Sequence, residues 1–178
     1  NNTISNCHVY NNGETGIYID ECENITVMDC DIYNNGESPM DYDHGGIFFY
    51  CGAAKFGTVT GCYIYNNTAG IIFMDGAHDN NIENCHLYNN SFAGIKSTGG
   101  EDNMISSCAI FNNYYGMYVP EFRDNIITGC SIHNNTNIGI YLNDSGSTGN
   151  TIHYNNIMGN ANYGVRSLAS VDISLPTS

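Results

Sequence analysis

Apolar and polar residues alternate along this chain in short runs, and the runs recur. Ile4-Ser5-Asn6-Cys7-His8-Val9-Tyr10-Asn11-Asn12 carries an apolar residue three places before Cys7 and another two places after it, then closes on an asparagine pair. The unit returns around Cys30, Cys62, Cys85, Cys108 and Cys130, and a seventh copy has Asn155 in the cysteine position. The spacings are 23, 32, 23, 23, 22 and 25 residues. A second signature follows each unit: Gly16-Ile17, Gly46-Ile47, Gly70-Ile71, Gly94-Ile95, Gly116-Met117, Gly139-Ile140 and Gly164-Val165. A period near 23 residues with short alternating runs and Asn/Gly corners predicts a β-solenoid. A leucine-rich repeat needs a Leu-x-x-Leu-x-Leu pattern, which is absent. Helical repeats need residues other than the β-branched, Asn and Gly residues that dominate here.

Alternation then assigns faces. Cys7, Val9 and Asn11 are expected inside, with His8 and Tyr10 outside. Ile17 and Ile19 are expected inside, with Tyr18 outside. Stacked at ~4.8 Å per coil, seven coils make a rod of about 34 Å. Each position of the repeat becomes a ladder along that rod. A buried Asn ladder is tolerable because each amide bonds the next one or a turn backbone group.

The Asn/Cys-x-Ile-x-Asn-Asn element followed by Gly-Ile resembles the parallel β-helix repeat of the carbohydrate-binding and sugar-hydrolysis (CASH) type. That repeat occurs in NosD-like periplasmic proteins, pectate-lyase-like enzymes and archaeal surface proteins. The resemblance covers residues 1–170. It implies an all-β, right-handed, single-stranded parallel β-helix of about seven coils, with 171–178 a partial eighth coil and tail. It does not fix the chemistry.

Charge narrows the partners. Four Lys plus Arg against eighteen Asp plus Glu give a net charge of −14. Nucleic acid is excluded, since it needs a basic stripe. Anionic lipids and polyanionic sugars need a cation in between. A hydrophobic share of 42% excludes disorder. There is no apolar run of membrane-spanning length and no leader, so this segment is not expected to enter a membrane. The expected location is extracellular or at the cell surface. The chain starts inside a repeat and finishes on an alternating half-coil. The expectation is a segment of a longer solenoid, or rods that stack end to end.

Equivalent cysteines in adjacent coils lie about 4.8 Å apart with parallel Cβ vectors, too far for a disulfide. Cys7, Cys30, Cys62, Cys85, Cys108 and Cys130 are therefore expected as core thiols. Cys22 and Cys51 break the repeat in third-corner loops and form the candidate disulfide.

The 32-residue spacing marks an insertion near 36–45, Gly36-Glu37-Ser38-Pro39-Met40-Asp41-Tyr42-Asp43-His44-Gly45. Asp41 and Asp43 are candidate Ca²⁺ ligands, and Asp41, Asp43 and His44 are candidates for acid/base chemistry on a sugar. A solvated polar loop is the plainer reading. Asp43-His44-Gly45 is similar to part of the Asp-Pro-His element of alginate epimerases, without its proline. The family's lyases pair an Arg or Lys base with Ca²⁺-binding carboxylates. Here Lys55, Lys96, Arg123 and Arg166 are expected in different columns or loops. The polygalacturonase motifs are absent.

Two further columns carry chemistry. Glu23, Lys55, Asp79, Asp102 and Asp124 read as a loop column in which a cation or solvent screens stacked carboxylates. Tyr10, Tyr33, Tyr65, Tyr88 and Phe111, continued by His133, form an outward aromatic stripe. Aromatics in register favour strand stacking by themselves, and a row of exposed rings is also a candidate binding surface for sugar rings or another rod. Of the glycosylation sequons, those at Asn66, Asn89 and Asn134 are expected to be blocked as ladder members, while Asn24 and Asn143 are more open.

The leading expectation is a non-catalytic extracellular module that self-associates into a filament, sheath or surface layer and contacts carbohydrate. The alternative is a Ca²⁺-dependent lyase or epimerase acting on uronate polysaccharides. A NosD-like metal-maturation accessory draws little support from the scattered His8, His44, His78, His86, His133 and His153.

Overall fold

A computed structural model describes residues 1–36 and 44–168, together with the backbone of 172–174. Each coil contributes one strand to each of three parallel sheets, of eight, seven and seven strands. The first coil consists of β1 (Asn2–Ser5), β2 (His8–Tyr10) and β3 (Ile17–Asp20). The second consists of β4 (Ile25–Met28), β5 (Asp31–Tyr33) and β6 (Gly45–Tyr50). Strands pair only with their counterparts one coil away: Ile4 opposite Val27, Val9 opposite Ile32, Ile17 opposite Ile47. The strand Asp172–Ser174 extends the first sheet beside Thr151–His153. The chain is an all-β, right-handed parallel β-solenoid, as the repeat predicts.

The register turns each apolar position into a buried column. Val27, Val59, Ile82, Ile105 and Ile127 line the first sheet, and Ile32, Ile64, Leu87, Ile110 and Ile132 the second. Ile47, Ile71, Ile95, Met117 and Ile140 line the third. Burying one such side chain contributes roughly 1.5–3 kcal/mol. The cysteine column packs into the same core from Cys30 to Cys130, whereas Cys7 in the first coil is exposed. The Cys30 thiol donates to the Met28 carbonyl at 3.2 Å. Burial pushes the Cys30 thiol up from its ordinary value. Hydrogen bonds to neighbouring thiols, then burial, push Cys62 and Cys108 the same way.

The corners explain the asparagines, and they revise one assignment. The first residue of each pair (Asn11, Asn34, Asn66, Asn89, Asn112, Asn134) has φ between 55° and 58°. Asn tolerates this left-handed turn better than other side chains. These residues are exposed, and none faces inward. The buried ladder is the second residue: Asn35, Asn67, Asn90, Asn113 and Asn135. Asn90 is typical. Its backbone N–H and Nδ2 donate to Asn113 Oδ1 at 2.9 and 3.1 Å, and Nδ2 also donates to the Ile64 carbonyl at 3.2 Å. Alternation failed here because the left-handed residue breaks the period of two. Asn66, Asn89 and Asn134 are accordingly open at the surface, not blocked.

A second ladder was not anticipated. Asn80, Asn103, Asn125 and Asn150 stack at the corner before the first sheet, beginning with Gly57 N–H donating to Asn80 Oδ1 at 2.9 Å. The signal was present: each lies two residues before Ile82, Ile105, Ile127 or Ile152. The Gly-apolar signature has its own cause. A Cβ on Gly94 would stand 2.6 Å from Ile110 Cγ2 and 2.8 Å from the Gly116 carbonyl oxygen. Only glycine fits where adjacent coils approach so closely.

Candidate functional site

The second sheet places its aromatic stripe in perfect register, Tyr10 opposite Tyr33, then Tyr65, Tyr88, Phe111 and His133. Successive rings stack with centroids 4.9–5.1 Å apart and interplanar angles of 2–9°. Each interior ring therefore has both faces covered by its neighbours and presents an edge to solvent. Burial pushes the Tyr65 and Tyr88 phenols up.

The third sheet is built differently. Its outward register row runs Tyr18, Phe48, Ile72, Lys96, Tyr118, Tyr141, Arg166. No residue type is repeated from coil to coil until the two tyrosines. Phe48, Ala69 and Ile72 form a small apolar cluster on this outer face, with Tyr50 and Met74 against it. Lys96, next in the row, is only 6% exposed. A cleft of about 470 Å³ opens over it, lined by Met74, Phe92, Lys96, Thr98, Tyr115 and Tyr118. A second cleft of about 450 Å³ shares Met74 and is lined by Glu14, Tyr18, His44, Phe48 and Tyr50. Phe92, Tyr115, Tyr118 and Tyr141 meet at tilted and edge angles instead of stacking. Burial pushes the Tyr115 phenol up. Asp75, hydrogen-bonded to Tyr50, does the same there. The Arg166 guanidinium lies over the Tyr141 and Tyr163 rings at 5.0 and 5.6 Å.

The four cations thus fall into two columns and are not scattered. Lys96 and Arg166 share the third-sheet row. Lys55 and Arg123 share the third-corner column, whose register is Glu23, Lys55, His78, Glu101, Arg123. That column corrects the expected one by a single residue beyond Lys55. Asp79, Asp102 and Asp124 occupy the next position, at φ of 50–55°, where they act as turn formers. The charges now alternate: Lys55 pairs with Glu23 at 3.2 Å, and Arg123 with Glu101 at 2.9 Å. The three aspartates still follow one another in adjacent coils, beside a column whose own charges are paired.

Cys22 and Cys51 are free thiols. Tyr50 lies opposite Asp20, and Lys55 opposite Glu23. The second-coil loop between these pairs is longer by two residues, so the cysteines stand at offset positions. Asp41 and Asp43 lie outside the described residues. His44 is described and half-buried, just before β6. Among the described residues, no group of three or more His, Cys, Asp or Glu is arranged to hold a metal.

Residues 1–82 and 58–175 match the model of the right handed beta helix region. The chain belongs to that family. This β-helix has no match among curated protein sequences. Among solved structures it is similar to the Azotobacter vinelandii mannuronan C-5 epimerase AlgE4 A-module, with a TM-score of 0.76 and 16% sequence identity. The match covers 97% of the β-helix chain and 57% of that module. At this identity the likeness is one of fold. No described helix is long and apolar enough to cross a membrane.

Proposed function

We propose that this β-helix is an extracellular module acting on uronate polysaccharides, in the manner of an epimerase or lyase, and that its site is the outer face of the third sheet. One observation carries the reading: a chain with a net charge of −14 places the nearly buried cation Lys96 in an aromatic cleft, and a second cation, Arg166, three coils further along the same row. A lysine ammonium in the wall of such a cleft can make a charge-assisted contact with a uronate carboxylate. The likeness in fold to an epimerase module supports the same class.

In this reading the Lys96 ammonium binds the sugar carboxylate and stabilises the negative charge that develops when the C5 proton leaves. His44, on the same face in the adjoining cleft, takes that proton as base. Tyr115, which burial keeps protonated, donates a proton. Return to C5 from the opposite side gives the epimer. Delivery to the departing O4 completes elimination. Both routes are redox-neutral. The described residues offer no donor set for Ca²⁺, so no step runs through one.

The lateral form of self-assembly rests on the second-sheet stripe. Its interior ring faces are already covered, so we place the main function on the third sheet. The test is binding and C5 exchange. The protein is expected to bind oligomannuronate or oligogalacturonate and to exchange C5 hydrogen in D₂O, read by NMR. Lys96→Met should weaken both by about tenfold or more, in line with loss of a charge-assisted contact. A folded protein that neither binds nor exchanges any uronate oligomer would remove the proposal.

A further inference from the structure

We infer a second carbohydrate site, for a neutral extended glycan, along the corner between the second and third sheets. A groove of about 440 Å³ runs there, and Asn11, Asn34, Asn66 and Asn89 line it, one from each of four coils. Thr68 and Ser91 lie in the same lining. All four asparagines are exposed and hold φ of 55–58°. Their neighbours Asn35 and Asn67 are engaged in the buried ladder, so the first residue of each pair is the one available to a ligand.

Each carboxamide offers two N–H donors and an acceptor oxygen. That is the complement of a sugar hydroxyl, which both donates and accepts. The described lining carries no charged side chain. Nothing there repays the desolvation of a carboxylate, in a chain that is already strongly acidic. The chemistry therefore selects a neutral polyol over a uronate. The amides repeat at the coil spacing of ~4.8 Å and span about 14 Å. A regular row of that length suits a repeating, extended polymer better than a monosaccharide. The left-handed corners fix the row in place, so binding orders little backbone. This site shares no residue with the Lys96 cleft, so the two readings can fail separately.

The experiment titrates the whole chain with cellohexaose, mannohexaose and hexamannuronate by calorimetry. At least one neutral hexasaccharide is expected to bind. Asn34→Gly/Asn66→Gly/Asn89→Gly removes three amides while glycine keeps the left-handed backbone. It should weaken neutral binding about tenfold or more, and Asn112→Gly, at the same corner outside the groove lining, should leave it unchanged. Lys96→Met should leave neutral binding intact while affecting hexamannuronate. Melting curves establish that each variant folds; should the triple variant not fold, Asn66→Asp, which keeps the side chain's size and adds a charge, must weaken neutral binding by itself. The site is refuted if no neutral hexasaccharide binds, if the amide variants bind it as the parent does, or if Lys96→Met abolishes it.

Discussion

The outer faces of the second and third sheets sit on the same rod and obey opposite rules. On the second, one aromatic position is repeated coil after coil, and the rings close on each other like stacked plates. On the third, the equivalent row changes chemistry at almost every step, from Tyr18 through Ile72 and Lys96 to Arg166. Stacked rings cover one another's faces and leave little for a ligand there. Unlike neighbours cannot stack, so clefts open between them. On these two sheet faces, repetition marks structure and its interruption marks a site.

The comparison can be broken most severely from inside. Asn90→Ala deletes a fully engaged amide and strands the Asn67 donors and the Ile64 carbonyl. A loss of about 3–4 kcal/mol is expected in denaturant unfolding. A loss below about 1 kcal/mol would mean that the ladder is ornamental. The second-sheet stack comes next. Tyr65→Leu breaks two stacked contacts and should cost about 1–2 kcal/mol with no effect on uronate binding. Tyr115→Phe, on the third sheet, should do the reverse, lowering C5 exchange with little change in stability. If Tyr65→Leu abolishes uronate binding, the assignment of roles to the two faces is inverted.

The mildest effect is alkaline. Burial raises the folded Cys30 thiol above the ordinary 9.0, while along the hydrogen-bonded row behind it Cys62 and Cys108 are raised and Cys85 and Cys130 lowered. The unfolded Cys30 thiol releases its proton first as pH rises, so the unfolded state then binds fewer protons and stability falls. The contribution is whole below about pH 8 and declines as pH passes the ordinary thiol value. Melting temperature should drop across that window, and Cys30→Ala should flatten the slope.

The sequence disclosed the fold almost entirely, because a ladder writes itself as a period: Cys30 to Cys130, Ile32 to Ile132, and the glycines before Ile47 to Ile140. It misled where one residue leaves the extended conformation. Asn11 and Asp79 both sit at left-handed corners, and a parity count carried across them assigns the wrong face or the wrong column. The aromatic stripe was legible as a register and stacking was one of its two readings, but choosing between stacked and open faces depends on ring tilt. The third-sheet row escaped notice for the opposite reason. A site made of dissimilar residues has no period, and only the pairing of Lys96 with Tyr118 and Tyr141 with Arg166 brings its cations into one line.

The asparagine ladder also has a mechanical meaning. Its bonds and those of the sheets join each coil to the next, so they lie along the rod. A force pulling the ends apart loads these links one after another instead of sharing it among them. The rod should therefore give way by peeling single coils, each at modest force and each leaving the remainder intact. Sideways load meets many coils at once. Such an object is stiff as a surface and yielding as a tether, and its length can change by whole coils without altering any corner that remains.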